Sequence, residues 1–153
     1  MKKLVIYVDA SVIGGCEDAE FAEGSLALWE HFKAGKYILA LSELVVREIE
    51  KAPQAVRNRL LEIPDDSRIF VPESQDAAEL AETYIKRGII GPGSRMDALH
   101  VALASTGGAD VLVSWNFKHI VNLGRIRLFQ SVNLEMGYPA IEIRSPKEVL
   151  SYE

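Results

Sequence analysis

At 153 residues, 48% hydrophobic and 25% charged, the chain is long enough to bury one sizeable core, which makes residues 1–153 a single expected domain. No apolar run approaches the roughly 18 residues of a membrane span, the run after Lys2-Lys3 ends too soon at Asp9 for a signal-peptide core, and the one cysteine, Cys16, excludes an internal disulfide, so a cytoplasmic protein is expected. The formal net charge of −5 weighs against a plain nucleic-acid-binding module, but not against a cleft that binds divalent cations, which must itself be acidic.

Residues 3–9 are apolar up to Asp9 and read as a strand buried on both faces of a parallel sheet. Gly14 and Gly15 punctuate. A helical pattern runs from about Asp18 to Ala34, with Phe21, Leu28, Trp29 and Phe32 on its apolar side, and Gly35 ends it. Tyr37 to Leu41 is a second strand. Ser42 is an N-cap for a helix over 43–51, and Pro53 opens another that ends near Pro64. Arg68 to Val71 is a third strand, Ser74 caps a helix to about Arg87, and residues 88–93 form a loop. Ser94 begins an Ala-rich helix to Ser105, and Gly107-Gly108 lead into the strand Val111 to Ser114. Residues 118–136 read as helical, Ala140 to Ile143 as a last strand, and Pro146 to Leu150 as a helical turn. The strand–helix alternation predicts an α/β domain with a mainly parallel sheet.

Four polar positions fall on one edge of that sheet: Asp9, Glu48, Asp97 and Asn116. Ligands of parallel α/β sheets bind beyond the carboxyl ends of the strands. Asp9 closes the first strand and Asn116 follows the strand 111–114. The helix feeding that strand runs antiparallel to it, which brings Asp97 to the same edge, and Glu48 lies in the second turn of a helix leaving strand 37–41. At about 100° per residue, Glu48 falls between Leu44 and Val45, while Glu43, Arg47 and Glu50 group on the other side. An inward carboxylate is costly unless paired or ligated. Each residue also has a structural reading. Asp9 could simply end a strand, Asp97 could complete a capping box with Ser94, Glu48 could belong to a buried ion pair, and His100 suits a hydrogen-bonded core histidine better than a ligand. Three carboxylates together suit Mg²⁺ or Mn²⁺, which prefer oxygen donors and can activate water against a phosphodiester. No nucleophile elbow, Walker loop or dinucleotide fingerprint is present.

The pattern resembles the PIN domain family, including VapC-type toxins. Tyr7-Val8-Asp9-Ala10-Ser11 looks like the family's opening, and Ser42-Glu43-Leu44-Val45-Val46-Arg47-Glu48 is similar to its second motif. Residues 97–104, Asp97 to Ala104, look like the third motif, and residues 109–117, Ala109 to Phe117, like the fourth. The resemblance implies a three-layer α/β/α sandwich and a metal-dependent endoribonuclease. Asp9, Glu48 and Asp97 would hold metal, Ser11 would support that site through its hydroxyl, and Asn116 would orient water or a second ion. It further implies an RNA substrate, a homodimer and, in a toxin, an antitoxin partner. The fourth motif usually ends in Asp, where this chain has Asn116. That departure keeps open a catalytically weak or inactive PIN domain that binds RNA or protein, and a metal-dependent phosphatase is a further alternative. Lys118, His119 and Arg95 flank the edge and could contact phosphate. Asp110 begins the strand that Asn116 follows, so at about 3.3 Å per residue it belongs at the opposite edge.

Overall fold

The apolar run Val5–Val8 forms β1, the middle strand of a five-stranded sheet in a computed structural model that describes residues 2–151. On one side of it lie β2 (Ile38–Ser42) and then β3 (Arg68–Val71); on the other lie β4 (Val111–Val113) and then β5 (Glu142–Arg144). All four pairings are parallel. Ile6, Tyr7 and Val8 are fully buried, which is why this strand can be apolar without alternation.

The helices are α1 (Ala10–Gly15), α2 (Ala22–Lys33), α3 (Glu43–Glu50), α4 (Gln54–Asn58), α5 (Gln75–Lys86), α6 (Arg95–Thr106), α7 (Leu123–Glu135) and α8 (Pro146–Leu150). The chain moves outward from β1 through β2 to β3, then returns to β4 and β5 on the far side. Right-handed crossovers therefore lay the two sets of connections on opposite faces, giving helices on both sides of the sheet. α2 packs with α1 and α8, while α5 packs with α6 and α7. The second group is held by a buried polar link as well as by apolar packing: Tyr84 donates to Asn133, which donates in turn to Ser105 Oγ at 2.8 Å. The α/β fold expected from the alternation is present, with a sheet that is wholly parallel. Among the described residues, no helix is long and apolar enough to cross a membrane.

Several boundaries differ from the sequence pattern. The segment around Gly14-Gly15 is helical, and its Gly15 is required by packing, because a side chain there would strike Trp115 and Ser25. The second helix starts at Ala22 rather than near Asp18, after two turns closed by Asp18. Only Gln54–Asn58 of the stretch opened by Pro53 is α-helical, and a 3-10 turn, Arg59–Glu62, follows. The helix expected over 118–136 begins at Leu123, because the Asn122 side chain accepts from Arg125 N and starts it there. The last strand is Glu142–Arg144, which starts two residues later and ends one residue later than the pattern indicates.

Candidate active site

β1 and β4 are neighbours, and the chain leaves them towards opposite ends of the sheet. Their carboxyl ends thus flank a switch point, where α/β sheets open a crevice. Asp9 follows β1 and Ser114-Trp115-Asn116 follows β4. The Asp9 carboxylate is 5% exposed and accepts from both sides: Ser11 Oγ donates to Oδ1 at 2.5 Å and Ser114 Oγ to Oδ2 at 2.6 Å. Both hydroxyls accept in turn from the β4 loop, Ser11 Oγ from Trp115 N at 3.0 Å and Ser114 Oγ from Asn116 N at 2.9 Å. This clamp stitches the ends of the two strands together. Burial pushes the Asp9 carboxyl above its ordinary range, against the opposing pull of His100 and the two hydroxyls, and Glu48 adds to the rise.

Glu48 leaves β2 through α3, whose N-cap Ser42 accepts from Val45 N. Its carboxylate meets His100 rather than an arginine, with Oε1 2.6 Å from His100 Nε2. Arg47 points away, bonding Glu73 at 2.8 Å, so the outward face of α3 is the solvated one expected. His100 is a core residue with both ring nitrogens engaged, Nδ1 lying 2.8 Å from the Tyr7 hydroxyl.

Asp97 sits half-buried in the first turn of α6. Ser94 makes no side-chain cap bond, so no capping box forms and that reading of Asp97 has no hydrogen bond to support it. Partial burial raises the Asp97 carboxyl; His119 and His100 oppose the rise, Asp9 adds to it, and a hydrogen bond from the Asn116 side chain lowers it. The Asn116 side chain therefore faces two ways, because its Oδ1 accepts from His119 N at 2.9 Å and pins the turn after β4. His119 lies near Asp97 and carries a buried Nδ1 with no hydrogen-bond partner. Lys118 is exposed, and Arg95 is ion-paired with Glu82. Asp110 lies at the far edge, as expected, accepting from Val5 N at 2.8 Å.

The carboxylates Asp9, Glu48 and Asp97 share one edge and one electrostatic neighbourhood. Among the described residues, however, no group of three or more His, Cys, Asp or Glu side chains is placed to hold a metal ion. The donor chemistry, three carboxylates with a serine hydroxyl beside them, fits a hard divalent cation. Clefts of about 460 Å³, lined by Leu44, Arg47, Glu48, Glu50, Lys51 and Met96, and of about 350 Å³, lined by Phe117, Val121, Leu123, Ile126, Arg144 and Glu148, open on either flank.

Sequence reasoning misses Ser114, Tyr7 and Trp115 as members of this site. Ser114 has a trace in the sequence, a lone polar residue ending an apolar strand. Trp115 acts through packing: its Nε1 donates to Ser25 Oγ at 2.8 Å, Phe21 stacks on it, and it lies against Gly15 and Gly24. A Cβ at Gly24 would come within 2.8 Å of the indole. Gly24→Ala is therefore expected to cost about 1–3 kcal/mol by overpacking. Because the ring shift moves the peptide that binds Ser11, it should also weaken the Asp9 clamp. Urea denaturation checks the first effect, and an unchanged midpoint would remove Trp115 from this role.

No family model matches the chain, and no curated protein sequence matches it. Among solved structures it is similar to a chain of VapBC2 from Rickettsia felis, crystallised bound to a DNA fragment from the promoter. The TM-score is 0.59 at 12% identity, covering 93% of this chain and 98% of that one. At that identity the likeness is one of fold.

Proposed function

We propose that the protein is a PIN-type, Mg²⁺- or Mn²⁺-dependent endoribonuclease. What supports this reading is that Asp9, Glu48 and Asp97 come from three separate elements to the switch-point edge of a parallel sheet, where Asp9 feels the charge of Glu48 and Asp97 that of Asp9. A buried Asp9 whose carboxylate is disfavoured by desolvation gains from a neighbouring cation, and Glu48 and Asp97 would complete the oxygen set. A bound ion would supply a more acidic water and neutralise charge on the phosphodiester. The chain's own part is to fix Asp9 through Ser11 and Ser114 and to keep Asp97 in reach through Asn116. RNA would lie across the edge, with the flanking clefts accepting neighbouring nucleotides and Lys51 and Lys118 offering cations to its phosphates. The VapBC2 neighbour supports a role as the toxin of a toxin–antitoxin pair, with an antitoxin as partner; a second copy of the chain and a cytoplasmic setting belong to the PIN-type reading alone.

Cleavage of RNA oligonucleotides should require Mn²⁺ or Mg²⁺, stop with EDTA, and fall by about 10²–10³-fold in each of Glu48→Gln and Asp97→Asn while both remain folded. Undiminished cleavage by both would sink the assignment.

A second reading draws on Asn116, whose amide is spent on Asp97 and on the turn, and on the spacing of the carboxylates. A PIN domain with a weakened site would bind RNA or protein without cutting. Mn²⁺ titration with thermal melting separates the two, because binding to the native state raises the melting temperature and a dead site shows no rise.

A further inference from the structure

We infer that Ser42, Tyr7 and His100 form a hydrogen-bonded relay with one proton order, and that His100 is a positioning residue for the Glu48 carboxylate. The inference rests on the reading that Glu48 belongs to a hydrolytic metal site.

The order follows from the ends of the chain of bonds. At one end, Ser42 Oγ accepts from Val45 N at 3.3 Å as the cap of α3, which leaves the serine proton to donate elsewhere. Tyr7 Oη is 2.7 Å away and receives it. Tyr7 is fully buried between β2 and β4, and a hydroxyl that accepts from Ser42 must pass its own proton to another acceptor. His100 Nδ1, 2.8 Å off, is that acceptor. With Nδ1 accepting, the ring proton lies on Nε2, facing Glu48 Oε1 at 2.6 Å. Reversing the neutral chain would set the Nε2 lone pair against a carboxylate oxygen and leave two acceptors pointing at each other.

Each member of the relay is locked by its own element: Ser42 at the end of β2, Tyr7 in β1, and His100 in α6 at 2% exposure. Glu48 is the exception. Its side chain is 35% exposed and has three rotatable bonds, so the bond from His100 is what fixes its direction. Partners that orient a ligating group typically govern about 10–100-fold in metal affinity. The relay leaves Glu48 Oε2 without a bond in this chain of partners, and that oxygen is the one left for a cation.

The test uses the full chain with Mn²⁺ as probe. Without metal, nitrogen NMR of the His100 ring should find Nε2 protonated and Nδ1 bare, and Tyr7→Phe should disturb that pattern. By calorimetry, His100→Leu should lose about 10–100-fold in Mn²⁺ affinity. His100→Gln, whose amide can reach the position of Nε2 and still donate to Glu48, should recover most of it. Melting temperatures identify any variant that fails to fold, and Tyr7→Phe, which removes only a hydroxyl, stands in for one that does. Two results overturn the relay alone: native Mn²⁺ affinity in a folded His100→Leu protein, or a ring protonated on Nδ1. A native protein that binds no Mn²⁺ at all overturns the metal reading and, with it, the positioning role.

Discussion

Asp9→Asn is expected to abolish cleavage and yet raise the melting temperature of the metal-free protein at neutral pH. Asp9 is 5% exposed, and its charge is opposed by burial and by the nearby Glu48 carboxylate. The asparagine has the same shape and no charge to desolvate. Part of the gain is offset, because Ser11 and Ser114 both donate to the carboxylate and one of them must turn to accept the new amide. The pH dependence separates this cause from generic repacking. A carboxyl whose folded pKa is raised contributes full stability below its unfolded value of about 4, and that contribution is lost as pH rises through the folded value. The variant's advantage should therefore grow as pH rises above about 4 and close as it falls back towards that value. Thermal melts of both proteins across that range, in EDTA, read it directly. A variant that melts lower than the native protein at every pH would mean that the clamp on Asp9 is structural and that its charge is not under strain. Mn²⁺ should reverse the order of the two proteins, because only the native carboxylate is relieved by a cation.

The sheet and its polarity were legible because a parallel sheet writes its buried strands as unbroken apolar runs. Val5 to Val8 and Val111 to Val113 carry that signal plainly. The edge of the site was legible for the same reason, since Asp9 ends one such run and Asn116 follows shortly after the other. Helix starts were readable where a serine caps them, as at Ser42 and Ser74, and not where the cap is Asn122, flanked by the apolar Val121 and Leu123. Side-chain partnerships were the least legible. Tyr7 reads as one more apolar residue of a strand, and nothing local to Val8-Asp9 points to a serine 105 residues away. Helical phase turned Glu48 inward, but it could not choose His100 over an arginine as its partner. The amide at 116 was visible as a departure from the family pattern, whereas its use as the pin of the turn at His119 depends on the fold.

Asn116→Asp is expected to lower the melting temperature without metal and to enlarge the rise produced by Mn²⁺. The aspartate keeps the oxygen that accepts from His119 N, so the turn after β4 stays pinned. What changes is the other atom, where a donor to Asp97 becomes a second carboxylate oxygen facing it. Two like charges about 4 Å apart interact by roughly 4 kcal/mol at an effective dielectric near 20. Asp97 is only half-buried, and solvent screening leaves about 1 kcal/mol of that, or about 2–4 °C in a chain of this size. His119, which also lowers the Asp97 carboxyl, offsets some of the repulsion. A divalent cation shared by the two carboxylates turns the repulsion into binding, and even about 1.4 kcal/mol is tenfold in affinity. The Mn²⁺ concentration for half-maximal cleavage should fall accordingly. Asn116→Ala, by contrast, loses both the pin and the bond to Asp97, and should cost about 1–3 kcal/mol in stability while weakening cleavage through the displaced turn. If Asn116→Asp instead melts higher than the native protein and leaves the Mn²⁺ response unchanged, the carboxylate edge does not extend to residue 116, and any ion there is held by Asp9, Glu48 and Asp97 alone.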